Sequence, residues 1–287
     1  MLILGGRMLG REAIVTALTA PRALIALAGL GTLLLIEQWA PFRRPVERPW
    51  RRRLRNVTIA GGNALGISAL FGGLLLAVYH ALELRRVGLL HRLGVAAWIN
   101  VVASVILLDG FTYAWHRAYH QWPWLWRLHR VHHSDLDLDV TTSGRFHLFE
   151  MGLSALVRLG AIAVIGADSA SVLLFEIIFG CSNQLEHANL HLPSRLEAWL
   201  RQILVTPDMH RIHHGQEVAQ TNSNYSTIFS WWDRLFATYR EASSQEPLVI
   251  GLPDYPQPRH VRLGHVLAMP FDPPCHTAAE LAAAAAR

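Results

Sequence analysis

The sequence predicts an all-α integral membrane protein: a helical bundle of about four to five membrane helices with a cytoplasmic, histidine-rich helical cap. Three observations carry this. Of the 287 residues, 52% are apolar and only 16% charged, short of the roughly 25% charge of a soluble domain. The apolar residues gather into runs near the ~20 residues that a spanning helix needs. Ten of the 16 histidines stand in four short boxes at or beyond the ends of those runs.

The first run covers residues 22–40. It begins too far from the start, and lacks the small-residue cleavage site, for a cleaved signal peptide. Upstream, residues 14–20 are apolar but meet Pro21, which predicts an extra turn or interfacial piece rather than a continuation. The basic stretch "RRPVERPWRRRLR" (43–55) holds seven arginines and reads as a juxtamembrane loop facing anionic lipid. No aromatic-basic interleaving accompanies it, which argues against a nucleic-acid partner. The second run is 57–81, rich in Gly and Ala as close helix packing requires. The third is 93–114. The fourth region, 149–178, is broken at "GADSAS" into a hairpin of about 149–165 and 171–184.

Only Arg85, Arg86 and Arg92 lie between the second and third helices. The positive-inside rule therefore puts 43–55 in the cytoplasm. Following the helices from there brings every histidine box to the same side. The chain divides into N-terminal membrane helices with their basic loop (1–92), a histidine-box catalytic domain (93–240) and a C-terminal cytoplasmic extension (241–287). The tail "AAELAAAAAR" reads as a frayed helix without chemistry. Composition free of lysine and heavy in Ala, Gly and Leu points to a GC-rich bacterial gene, hence an inner membrane. Cys181 and Cys275 form no C-x-x-C motif and no disulfide framework.

The boxes are "HRAYH" (His116, His120), "HRVHH" (His129, His132, His133), "HANLH" (His187, His191) and "HRIHH" (His210, His213, His214). Positions i, i+3 and i+4 share one helix face, so each box offers two or three imidazoles from one stripe. At this histidine frequency one H-x-x-H-H triplet arises by chance in about one chain in twenty, and two far more rarely. Ten convergent histidines exceed one metal and suit two. Imidazole serves iron, copper, zinc and nickel alike, so the donors do not choose among them. The zinc-hydrolase word H-E-x-x-H is absent. His80, His91, His260, His265 and His276 stand alone and read as ordinary surface or core residues.

These boxes in this order, with "DGFTYAWHRAYH", "WPWLWRLHRVHHSD", "RFHLFE", "TPDMHRIHH", "NYS" and "WWDRLFATY", resemble the fatty acid hydroxylase/sterol desaturase superfamily over about residues 100–240. The resemblance implies two iron ions at the cytoplasmic face, O₂ as oxidant and an unactivated C–H bond of a lipid as target. It also implies an external electron donor, ferredoxin- or cytochrome b5-like with its reductase. Two words depart from the family's pattern: Leu148 stands where proline is common, and "NYS" where "NYG" is usual, both expected to alter the mouth of a substrate channel.

Several residues beyond the ten ligands are expected at the centre. Asp109, an acid deep in an apolar run and two turns before His116, is expected to orient a ligand. Arg145, His147 and Glu150 form a polar knot, with His147 as a conceivable eleventh ligand. Glu186 and Asp208 adjoin boxes. "DLDLD" (135–139) reads as a solvated loop, Asn224 and Asp233 as cap supports, and Trp122, Trp124 and Trp126 as interfacial anchors, one of them open to a substrate-lining role. Two other readings stay open: a membrane hydrolase using two zinc ions, and a metal transporter or sensor.

Overall fold

The computed structural model describes residues 22–241 and 248–273, and the backbone of 3–4, 7–8 and 11–21. Cys275, His276 and the alanine-rich tail lie outside the described residues. Ile3–Leu4 (β1) pairs antiparallel with Arg7–Met8 (β2), and the remaining regular elements of the described chain are helices, with isolated bridges at Leu204–Phe229 and Gly215–Ile250. In order come α1 (Arg11–Trp39), α2 (Pro49–Leu84), α3 (Leu89–Arg92), α4 (Ala97–Gln121), α5 (Pro123–His133), α6 (Leu148–Ile165) and α7 (Ser169–His187). Short cap helices follow: α8 (Ser194–Leu200), α9 (Pro207–His213), α10 (Val218–Thr221), α11 (Trp231–Leu235) and α12 (Leu263–Ala268).

Four segments are long and apolar enough to cross a membrane: Arg22–Trp39, Pro49–Arg92, Ala97–Gln121 and Leu148–Ile165. The hairpin break falls as expected. Gly166 ends α6 in the left-handed conformation (φ 81°), which glycine adopts without penalty. Its partner in close approach is Gly88 (φ 114°), where an added Cβ would stand 2.3 Å from the Gly166 Cα. Pro21, by contrast, does not stop α1, which runs unbroken from Arg11. The second hairpin arm, α7, is not among the four spanning candidates. It packs against α1 and α4 and carries polar groups that bind neighbours: Gln184 donates to the Ala26 carbonyl, and Glu176 pairs with Arg22 and Arg158.

The basic stretch and "DLDLD" are where the structure most departs from expectation. Residues 49–55 are not loop but the first turns of α2. Arg52 is buried and reaches Asp135 (2.9 Å) and Asp139 (2.6 Å). Arg53 binds Asp139 and Glu37, and Arg55 makes a two-pronged pair with Glu47 at 2.8 Å. Asp135 and Asp139 are buried too. These two acids are thus not solvated, and three of the seven arginines do not face lipid. The reason is mutual: either charge run alone would be too costly to bury, while paired and hydrogen-bonded they can share the interior. Arg43, Arg44, Arg48 and Arg51 remain exposed.

The C-terminal extension is part of the same core. Leu252, Tyr255, Val261, Val266 and Met269 pack with Ile59 of α2 and with Trp126 and Val131 of α5. Arg130, the arginine inside the second box, is buried and donates to the carbonyls of Met269, Asp272 and Pro273. This clamps the box-bearing helix from behind.

Candidate metal centre

Nine of the ten box histidines converge into two groups. His116, His120, His129, His133 and His213 form one, and His132, His187, His210 and His214 the other; within each, one nitrogen per residue lies within 4.8 Å of every other. The doubled H-x-x-H-H word has a geometric meaning here. On α5, His129 and His133 turn to the five-histidine group and His132 to the four. On α9 and its C-cap the split is reversed, with His213 in the five and His210 and His214 in the four. Each triplet therefore spans both sites, and the His133 and His214 rings stack at 4.5 Å between them.

His191 is not brought in. It is about half exposed, its Nδ1 lies 3.3 Å from Asp208, and its ring stacks on Phe42. The expectation of a shared stripe assumes a continuous helix, but α7 ends at His187 and Ala188 is extended. Four positions further on, the side chain no longer points the same way.

The nitrogens are presented in a fixed sense. His116 Nδ1 lies 2.8 Å from the Tyr225 carbonyl, His213 Nδ1 2.7 Å from that of Ser223, and His187 Nδ1 2.6 Å from that of Asn183. His129 Nδ1 lies 2.6 Å from Glu150 Oε1. Carbonyls and carboxylates only accept, so in the neutral ring the proton sits on Nδ1 and Nε2 is a bare lone pair. Yet His116 Nε2 stands 3.1 Å from Nε2 of both His129 and His213. In the other group His187 Nε2 lies 3.1 Å from His132 Nε2 and 3.0 Å from His210 Nε2. Among His116, His129 and His213, whose Nδ1 atoms all face acceptors, lone pairs meet lone pairs at this distance and repel unless a cation lies between them. In addition, both nitrogens of His120 and Nε2 of His133 are buried without a hydrogen-bond partner. The residues present therefore fit two metal ions bound through imidazole nitrogen.

Burial, and next the neighbouring imidazoles, hold His129, His132, His133, His210 and His214 well below their ordinary pKa. Burial holds His213 down likewise, and lowers His187 to about 4. The set is neutral at physiological pH, the form that ligates metal.

Of the acids expected here, Glu150 meets a ligand directly. Glu186 is buried 3.8 Å from Nδ1 of both His187 and His210. Asp109 orients no imidazole. Its carboxylate accepts from the Ile228 and Phe229 amides and from Trp232 Nε1 at 2.9–3.2 Å, tying α4 to the cap. Asp208 pairs with Arg211 and His191. His147 caps α6, accepting from the Phe149 amide, and its Nε2 approaches the Leu267 carbonyl; it belongs to neither histidine group. Arg145 donates to the Val131 carbonyl, Asn56 and Ser134, bracing the end of α5. Asn224 and Asp233 do support the cap. Asn224 donates to the Met209 and Arg240 carbonyls, and Asp233 accepts from the amides of Tyr225 and Ser226. Leu148, at the first departure, packs on Gly66 of α2. Trp122 and Trp124 are exposed, whereas Trp126 is fully buried with its ring 5.0 Å from His120. The backbone carbonyls of Tyr225 and Ser223 carry no sequence signal, because any residue could supply them.

Residues 101–238 match the fatty acid hydroxylase family. The chain is similar to ornithine lipid hydroxylase OlsE of Rhizobium tropici, 28% identical over 53% of this chain and 45% of that one. It is also similar to mouse (Mus musculus) cholesterol 25-hydroxylase, 25% identical over 52% of this chain and 49% of that protein. Human (Homo sapiens) alkylglycerol monooxygenase is 29% identical over 52% of this chain and 32% of its own length. The matched part thus spans about half or less of these relatives. No solved structure matches.

Proposed function

We propose, from the match of residues 101–238 to the fatty acid hydroxylase family, that this chain is an O₂-dependent lipid hydroxylase or desaturase holding two iron ions. The observation that carries the proposal is the five-plus-four arrangement of neutral imidazoles whose Nε2 atoms face one another. His116, His120, His129, His133 and His213 would hold one ion, and His132, His187, His210 and His214 the other. Bound there, an iron pair supplies O₂ activation and the oxidising power to break an aliphatic C–H bond.

The chain's own residues set the conditions. The Tyr225, Ser223 and Asn183 carbonyls and the Glu150 carboxylate fix ring orientation and tautomer, which raises ligand basicity. Trp126 and Phe146, stacked at 4.3 Å on His132, exclude water. His116 alone of the nine is only partly buried, so the five-histidine group is the more accessible. The relatives' names concern ornithine lipid, cholesterol and alkylglycerol, which supports an apolar lipid substrate and favours hydroxylation. Electrons would come from an external ferredoxin- or cytochrome b5-like donor with its reductase. The four exposed arginines at 43–51 support a cytoplasmic face for the centre.

Metal analysis with lipid profiling under ¹⁸O₂, in cells with and without the gene, tests this. The expected result is iron in both sites and one lipid species gaining a single ¹⁸O, or a new double bond without label. Protein purified with two zinc ions and no O₂ consumption would refute it in favour of a hydrolase.

A further inference from the structure

Three of the boxes contain the dipeptide His-Arg, and the three arginines meet different fates. Arg130 donates to three carbonyls through its terminal nitrogens, its Nε being buried without a partner, and Arg211 binds Asp208 and the Leu190 carbonyl. Among the described residues Arg117 has no carboxylate within 4 Å. Its Nε is closed off from solvent without a hydrogen-bond partner. Its guanidinium meets the Tyr113 hydroxyl, a neutral group, so the charge itself has no counter-ion, which is costly on a helix apolar enough to span a membrane.

Arg117 lies in a groove of about 620 Å³ on the outer face of α4, of a size that takes a lipid-like ligand. Leu107 and Phe111 of α4 and Trp232 and Phe236 of the cap make its apolar walls, while Arg117 and Trp122 stand towards one end. Along α4 the lining from 107 to 121 rises about 21 Å, more than half of a hydrocarbon core of about 30 Å. The polar end is the helix terminus, where exposed Trp122 and Trp124 mark the level of lipid headgroups. An apolar trough that reaches from that level into the bilayer, with one uncompensated cation at its headgroup end, has the shape and charge of a single lipid.

We infer that this groove binds one acyl chain of an anionic lipid whose headgroup pairs with Arg117. Its inner wall includes Tyr113, whose ring lies 6.2 Å from that of Tyr225, itself 5.8 Å from the His116 ring. The bound chain therefore lies one tyrosine pair away from the five-histidine group. The site itself stands whether or not the metals are iron.

The test uses the full chain in vesicles, with tryptophan quenching by brominated phosphatidylglycerol against brominated phosphatidylcholine. Wild type is expected to prefer the anionic lipid by about tenfold, as for a hydrogen-bonded charge pair. Arg117→Gln should abolish that preference, and Arg44→Gln, a surface arginine outside the groove, should keep it. Ala114→Phe fills the exposed floor of the groove and should weaken both lipids. Equal quenching by both lipids in wild type would overturn the inference, as would equal loss in the Arg44 variant or displacement by inorganic phosphate at millimolar concentration. So would a change from dimer to monomer in Ala114→Phe with lipid preference intact, which would make the groove a contact between copies. Metal content of the same samples is read separately: missing iron with preserved lipid preference removes the oxygenase reading and leaves this one standing.

Discussion

His187 and His191 share a box, yet one faces the three other histidines of a metal site and the other is half exposed to water. The difference is a single helix terminus. Substituting His187→Ala should therefore cost the metal of the four-histidine group, about half of the total, while His191→Ala should leave the content unchanged. Elemental analysis of the two purified variants checks this, and equal losses would return His191 to the ligand set. Glu150 acts on His129 from behind. Glu150→Ala is expected to weaken metal binding in the five-histidine group by about 10–100-fold, read by titration against a chelator, with the other group little changed. A uniform loss at both sites would mean that Glu150 serves the fold rather than the ligand.

At the scale of elements, the α2–"DLDLD" contact fastens the membrane helices to the loop that follows the second box. Arg52 bridges Asp135, Asp139 and Thr142, and Asn56 adds bonds to Asp135 and Thr141. Removing one partner leaves a buried charge uncompensated. Arg52→Ala should destabilise the protein by about 3–5 kcal/mol, measured by thermal unfolding in detergent. An apolar pair such as Arg52→Met with Asp135→Leu should recover part of the loss, and no recovery would place the cost in packing rather than charge. The α3–α6 contact rests on backbone shape instead. With Gly88 and Gly166 both at positive φ and touching, Gly88→Ala should cost about 1–3 kcal/mol.

For the whole molecule, pH is the informative variable. Seven of the clustered histidines lie outside the spanning helices, and burial lowers all of them below the ordinary 6.5, His187 to about 4. Above about pH 6.5 folded and unfolded states are both neutral and stability is flat. Below it the unfolded chain takes up protons that the fold refuses, so stability falls as pH drops from about 6.5 towards 4. Asp135 acts only lower down: burial raises its pKa, but Arg52, Arg145 and Arg55 outweigh burial and hold it well below 3.8. Its contribution is lost below the ordinary carboxylate range. An unfolding midpoint of the metal-free protein that stays constant from pH 8 to 5 would contradict this picture.

Helical class, the spanning runs, the hairpin break and nine of the ten converging histidines were legible in sequence, because each is a local matter. Apolar length decides what can span, glycine decides where a hairpin can turn, and i, i+3, i+4 spacing decides which rings share a helix face. What tertiary structure alone decided is every pairing between segments. It divides each triplet between two sites, releases His191, and turns Asp109 from the metal centre to the cap. It also joins an arginine run to an acidic run 80 residues away, each of which reads alone as solvated or lipid-facing. Charge burial and metal geometry depend on what stands opposite, and a linear pattern holds only one side of each contact.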